Sequence, residues 1–174
     1  PTDARLLIVG LAPGLRGANR TARPFTGDFA GDLLYATLHT FGFARGNYDK
    51  RYDDDLELID CRITNGVRCV PPENKPVGAE ITSCRRFLVD EIKSLPRLEV
   101  ILALGTMAHA TVLTALGEKR TPWPFGHGAV HQLPKFIRLV DSYHCSRYNT
   151  NTGRLTEAMF HDVFRNLRML LKFA

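Results

Sequence analysis

An alternation of two hydrophobic periods constrains the fold of this chain most. Apolar runs rich in Leu, Ile and Val occupy residues 5–10, 57–63, 98–104 and 136–140, each too short for a helix and bounded by Gly, Pro or Asp. Between and after them lie helical patterns at 30–40, with Leu33, Leu34 and Leu38 on one face, at 79–94, at 106–116 and at 156–173. Short continuous apolar strands separated by helices belong to a parallel sheet buried on both faces. The expected fold class is α/β, a three-layer α/β/α sandwich around a central, largely parallel four-stranded sheet. The 174 residues suit one domain, 1–174, with no internal repeat, low-complexity tract or linker to divide it.

In such folds ligands sit at the carboxyl ends of the strands, so the segments that follow the strands should carry the site. They are rich in functional residue types. LAPGLRGANRTARPFTGD (11–28) follows the first strand, ITNGVRCVPPENKP ends the second, LGTMAH the third, and SYHCSRYNTNTGR (142–154) the fourth. The first of these is neither G-x-G-x-x-G nor a P-loop, which disfavours a nucleotide cofactor. Its Arg16, Arg20 and Arg23 suit phosphates and Phe25 suits contact with a flat ring, while Asp28 could simply cap the following helix.

Asn65 offers a donor and an acceptor side by side, matching a pyrimidine edge, or else serves a turn. His144 follows a strand directly and could donate to a reacting oxygen, or be a satisfied loop residue. His127 and His131 are four apart, but glycine between them and prolines on both sides argue against a helical metal pair. His39, His109 and His161 fall on helical patterns and read as surface or packing residues, and the acidic triplet Asp53-Asp54-Asp55 as a solvated turn.

Four cysteines and a formal charge of +5 remain. No run approaches the roughly 18 apolar residues of a membrane span and no signal peptide opens the chain, so an intracellular protein without disulfides is expected. Net positive charge inclines it toward a polyanion. Cys61 alternates with Ile59 and Ile63 and reads as core; Cys145 reads as a packed thiol; Cys69 and Cys84, 14 residues apart across a proline-rich loop, could share a metal centre but cannot fill one.

GLAPGLRGANRTARPFTGD, ITNGVRCVPPENKP with its second cysteine, and SYHCSRYNTNTGRLT, in that order, resemble the uracil-DNA glycosylase superfamily, and specifically its family 5, the B-type enzymes of bacteria and archaea. The resemblance runs from Leu6 to the last helix. It implies a monomeric, cytoplasmic and nucleoid-associated repair enzyme acting on double-stranded DNA that contains uracil or other deaminated bases such as hypoxanthine. Such an enzyme extrudes the damaged nucleotide, since the base–sugar bond is out of reach inside the stack, and hydrolyses that bond to leave an abasic site.

Carried over by position, the resemblance makes the Gly10–Gly14 turn, with Ala12, the pocket floor, Phe25 the stacking ring and Asn65 the reader of the base edge. It makes Asp28 the residue that positions water and His144 the holder of the base O2. Arg16, Asn19 and Arg20 would contact DNA, and Arg147, Tyr148 and Asn149 would sit in the loop that enters the duplex. Ala12 stands where other families carry Asp or Asn, and Cys145 where a proline is usual.

The family also carries a [4Fe-4S] cluster on four cysteines. Cys69 and Cys84 match the last two, and the first two lie upstream of the first strand, in a segment this sequence does not contain. The resemblance therefore implies either a trimmed chain or an incomplete cluster, structural in role, with no catalytic metal. No lysine lies in the first or third motif segment and the second holds Lys75 alone, which argues against a Schiff-base lyase step. The competing expectations are a non-catalytic damaged-base-binding module on the same fold, and a metal-dependent hydrolase using His127, His131 and an acidic residue.

Overall fold

The computed structural model describes residues 1–14, 18–74 and 76–172, with the side chains of Asn19, Arg20 and Asn74 outside the description. Five strands form the main sheet: β1 (Leu6–Gly10), β4 (Cys61–Asn65), β5 (Val100–Leu104), β6 (Val130–Gln132) and β7 (Arg138–Ser142), in the order β4-β1-β5-β7-β6. Four run parallel, and β6 pairs antiparallel with β7 at the edge. A separate antiparallel pair joins β2 (Ala44–Arg45) to β3 (Glu57–Leu58). The helices are α1 (Ala18–Thr21), α2 (Phe29–Thr40), α3 (Gly78–Lys93), α4 (Thr106–Leu116), α5 (Arg147–Asn151) and α6 (Glu157–Leu170).

The sheet therefore has one strand more than expected. β6 is three residues long, between a glycine-rich turn and Pro134, too short to register as a periodic run. The expected strand at 57–63 divides at Asp60, which has a left-handed backbone, so that β3 ends one ladder and β4 begins another.

Side-chain alternation on the strands divides the interior in two. Leu6 and Ile8 of β1 pack with Leu34 and Leu38 of α2 and with Phe160, Phe164 and Leu167 of α6, whereas Leu7 and Val9 pack with Leu88 of α3 and Val112 and Leu113 of α4. With both faces covered, β1 and β5 are buried at every position, which explains their unbroken apolar runs. α6 shows the complementary logic: its buried residues Phe160, Val163, Phe164 and Leu167 recur at helical spacing, and the Thr156 hydroxyl caps it by accepting from the Met159 N–H.

Register brings the carboxyl ends of the parallel strands level. Gly10 lies opposite Asn65, and Leu104 opposite Ser142. Everything that follows these residues is delivered to one rim of the sheet.

Candidate active site

At that rim opens a cavity of about 730 Å³, lined by Leu11 to Gly14, Phe25, Asp28 to Ala30, Asn65, His144, Ser146 and Arg147. Segments separated by most of the chain thus share one cavity. Ala12 lines the cavity, while Gly10 lies beneath it and has a packing role: a Cβ placed there would stand 2.5 Å from both Asn65 Oδ1 and Phe25 Cζ. Only hydrogen at that position lets the amide and the ring approach each other.

Phe25 is buried and has a left-handed backbone, φ 63°. Bulky residues avoid this region, so the surroundings must impose it. Tyr35 donates from its hydroxyl to the Pro24 carbonyl at 2.6 Å, and Gly31 makes room for the Phe25 carbonyl, which a Cβ there would strike. Arg23 donates through Nη1 and Nη2 to the two Asp54 carboxylate oxygens, 2.6 Å each, and through Nε to Thr26 at 2.8 Å. Arg23 is therefore committed to the fold, contrary to its expected fitness for phosphate. Asp54, expected in a solvated turn, has a wholly buried side chain, and Arg23 holds its carboxyl far below the usual range.

Asp28 occupies the N-cap position of α2 in an extended conformation, yet its carboxylate caps no N–H there. It lies instead against Gly14, where a Cβ would meet Asp28 Oδ2 at 2.6 Å, and it is the one carboxylate lining the cavity among the described residues. Burial pushes its pKa up from the ordinary aspartate value. Across the cavity, the His144 ring centroid lies 6.0 Å from that of Phe25. Burial lowers the His144 pKa, leaving a neutral imidazole at neutral pH, and its backbone carbonyl accepts from Asn149 Nδ2 at 2.8 Å. Asn65 contributes a buried Oδ1 without a hydrogen-bond partner among the described residues. A buried orphan acceptor is costly, and a donor on a bound ligand would satisfy it.

The segment after His144, expected as a loop, folds as α5, with the Ser146 hydroxyl accepting from the Asn149 N–H. Arg147 lays its guanidinium 5.2 Å from the Phe29 ring centroid at the cavity wall, and Tyr148 is exposed. Arg16 lies outside the described residues. For Asn19 and Arg20 only the backbone, in α1, is described.

A family model for the uracil DNA glycosylase superfamily matches residues 1–168. The chain belongs to that superfamily. It is similar to a type-5 uracil-DNA glycosylase of Thermus thermophilus, 44% identical over 97% of this chain and 76% of the relative. It also resembles type-5 uracil-DNA glycosylases of Mycobacterium tuberculosis, 45% identical over 95% of this chain and 63% of the relative, and of Pyrobaculum aerophilum, 39% identical over 94% and 70%. The chain thus spans between about two thirds and three quarters of the length of these superfamily members.

The thiols of this superfamily member are divided between the core, a loop and a helix. Cys61 and Cys145 are sealed in the core on the α2 and α6 face, where Cys145 Sγ donates to the Ala30 carbonyl. Burial raises the pKa of both, to about 12 for Cys145. Cys69 is exposed in the loop after β4 and Cys84 is buried on α3. Cys69 and Cys84 supply two thiols, half of the four that a [4Fe-4S] cluster takes. Among the described residues the one grouping of three potential metal ligands is His109, His131 and Asp141, which includes no cysteine. His109, expected as a surface or packing residue, is buried there and hydrogen-bonded through both ring nitrogens. Nothing in the helical period of α4 distinguishes such a residue from an ordinary packed histidine. No helix among the described residues is long and apolar enough to cross a membrane.

Proposed function

We propose that this chain, residues 1–174 acting as one monomeric catalytic domain, is a monofunctional uracil-DNA glycosylase that works on cellular double-stranded DNA and leaves an abasic site. The observation that carries the reading is the buried, unpartnered Oδ1 of Asn65 in a cavity that also holds Phe25, Asp28 and His144. The names of the type-5 relatives support it.

Phe25 stacks on the extruded base and Asn65 accepts from its N–H edge while donating from Nδ2 to the adjacent carbonyl. Breaking the N-glycosidic bond develops cationic character on the sugar and anionic character on the base. Asp28, with Ala12 leaving no second carboxylate in the wall, orients the attacking water, accepts its proton and stabilises the cationic sugar. Neutral His144 donates an N–H to the base O2 as charge collects there, the electrophilic role open to an imidazole that stays uncharged. Among the described residues no lysine lines the cavity, which supports hydrolysis without a Schiff-base step. Arg147 and Tyr148, with Arg16, Asn19 and Arg20, contact the DNA, while Asn149 acts from behind by bonding the His144 carbonyl.

A cavity of about 730 Å³ is roomy for a pyrimidine and supports a range that extends to deaminated purines. Cys69 and Cys84 are the two ligands this chain would offer to a structural [4Fe-4S] cluster; iron analysis and visible absorbance of the purified protein test that point. The activity itself is tested with a duplex oligonucleotide carrying one U opposite G, in EDTA, followed by alkali. Alkali-dependent cleavage is expected. Binding without cleavage would instead indicate a damage-recognition module, and loss of cleavage in EDTA a metal-dependent hydrolase.

A further inference from the structure

The sheet holds a buried polar node that the reading above does not use. Asp141, next to last in β7, has a fully buried carboxylate. Its Oδ1 lies 2.7 Å from His109 Nδ1 of α4, and its Oδ2 receives the His131 Nε2–H of β6 at 3.0 Å and the Gly126 N–H at 3.3 Å. The other His109 nitrogen, Nε2, donates to the Trp123 carbonyl at 2.8 Å. The Trp123 carbonyl only accepts, so Nε2 carries a hydrogen, and one proton is shared between Nδ1 and the Asp141 carboxyl. Three nitrogens from two segments, α4 and Gly126–His131, thus converge on one side chain.

The backbone around Asp141 is held as firmly. Its N–H donates to the Ala129 carbonyl at 3.0 Å, its carbonyl accepts from the Gly128 N–H at 2.8 Å, and the Tyr143 N–H donates to His127 Nδ1 at 3.0 Å, with the two rings stacked at 4.8 Å. The Ser142 carbonyl accepts from the Gly105 N–H at 2.8 Å. His144 follows Tyr143 directly. The histidine-bearing segment Gly126–His131, read in the sequence as a poor metal motif, therefore braces the end of the strand that presents His144.

We propose that Asp141 is a positioning residue for His144, acting through hydrogen-bond geometry with His109 and His131, and that the 126–131 segment serves as its brace. The inference rests on the role given to His144 above. Asp141→Asn keeps the node: its amide can donate to neutral His109 Nδ1 while its oxygen still accepts from His131 and Gly126. Asp141→Ala abolishes it and leaves two imidazoles without their acceptor.

The test compares Asp141→Ala, Asp141→Asn and His131→Ala by single-turnover uracil release, duplex affinity and amide hydrogen exchange. Misplacing a reacting group by ~1 Å costs about 100-fold. Asp141→Ala should therefore lose about 100-fold in rate with duplex Kd changed by less than about threefold, and Asp141→Asn should recover to within about fivefold of wild type. His131→Ala, which removes one donor and spares the carboxylate, should fall between them. In a His144→Ala background Asp141→Ala should add nothing, because residues that act as a unit are not additive. Exchange protection at Tyr143 to Ser146 should fall in Asp141→Ala and persist in Asp141→Asn.

Additive losses, an asparagine variant as impaired as the alanine variant, unchanged protection at Tyr143 to Ser146, or stoichiometric zinc bound by the purified protein would each overturn the proposal. Absence of uracil release by the wild type would count against the glycosylase reading alone, and hydrogen exchange would still decide the positioning role.

Discussion

Gly10→Ala tests the cavity at its foundation. The glycine has an ordinary backbone conformation, so alanine introduces no torsional penalty and the whole effect comes from one methyl group. That methyl would stand 2.5 Å from Asn65 Oδ1 and from Phe25 Cζ, so each group has to retreat by about 1 Å to reach ordinary contact. Neither retreats freely: Asn65 is paired in register with residue 10 across β1 and β4, and Phe25 sits in a backbone conformation fixed by Arg23, Tyr35 and Gly31. Overpacking of this kind costs about 2 kcal/mol, which for a chain of this length lowers Tm by roughly 4–8 °C. A 1 Å displacement of both base-contacting groups should also lower kcat/KM for uracil release about 100-fold. Thermal melting together with steady-state release from a U-containing duplex separates the two effects. A Gly10→Ala enzyme with the melting loss but wild-type kcat/KM would refute the placement of the base against Phe25 and Asn65.

Three further outcomes are expected. Gly14→Ala directs its methyl at Asp28 Oδ2, so it should lower single-turnover release by about 10- to 100-fold with duplex affinity nearly unchanged; an equal loss in affinity would contradict a role for Asp28 confined to chemistry. Because burial raises the Asp28 pKa, the acid limb of the rate profile should lie above the usual aspartate value of about 3.9, with activity falling as pH drops through it. Asp28→Asn should abolish that limb along with most of the rate, as single-turnover pH profiles would read. The Asp54 pKa is depressed on folding, so its contribution to stability is present above about pH 4 and lost as pH falls further. Asp54→Asn should cost about 3 kcal/mol at pH 7, lower Tm by roughly 6–12 °C and flatten its decline between pH 4 and pH 2; a melting temperature within 1–2 °C of wild type at pH 7 would contradict the buried pair.

Most of the architecture was legible because it depends on local period. The buried runs of β1, β5 and β7 and the spaced apolar faces of α2, α4 and α6 can be read from composition within a short window. The convergence of the loops at one sheet rim follows from parallel topology, which is why residues as distant as Phe25 and His144 could be assigned to a common site. Pairings between segments escaped the same reading. Asp54 looks like one member of a charged triplet until Arg23 arrives from another loop, and His109 looks like an ordinary helical residue until β7 places Asp141 beside it. β6 escaped for want of length. Asp28 was ambiguous for a different reason: an aspartate before a helix suits a cap, and only the space opened by Gly14 shows that the side chain turns away.

The order of β1, β5 and β7 also bears on when this molecule can act. One wall of the cavity follows the first strand and the facing wall follows β7, the last strand in chain order, so a polypeptide still being synthesised has Phe25, Asp28 and Asn65 long before it has His144. Closing such distant loops comes late in folding, since their entropy must be lost before the contacts repay it. Nascent and half-folded chains, and native molecules whose α5 and α6 have transiently peeled away, therefore lack one side of the cavity altogether. Topology alone in this way restricts the chemistry of the cavity to finished molecules.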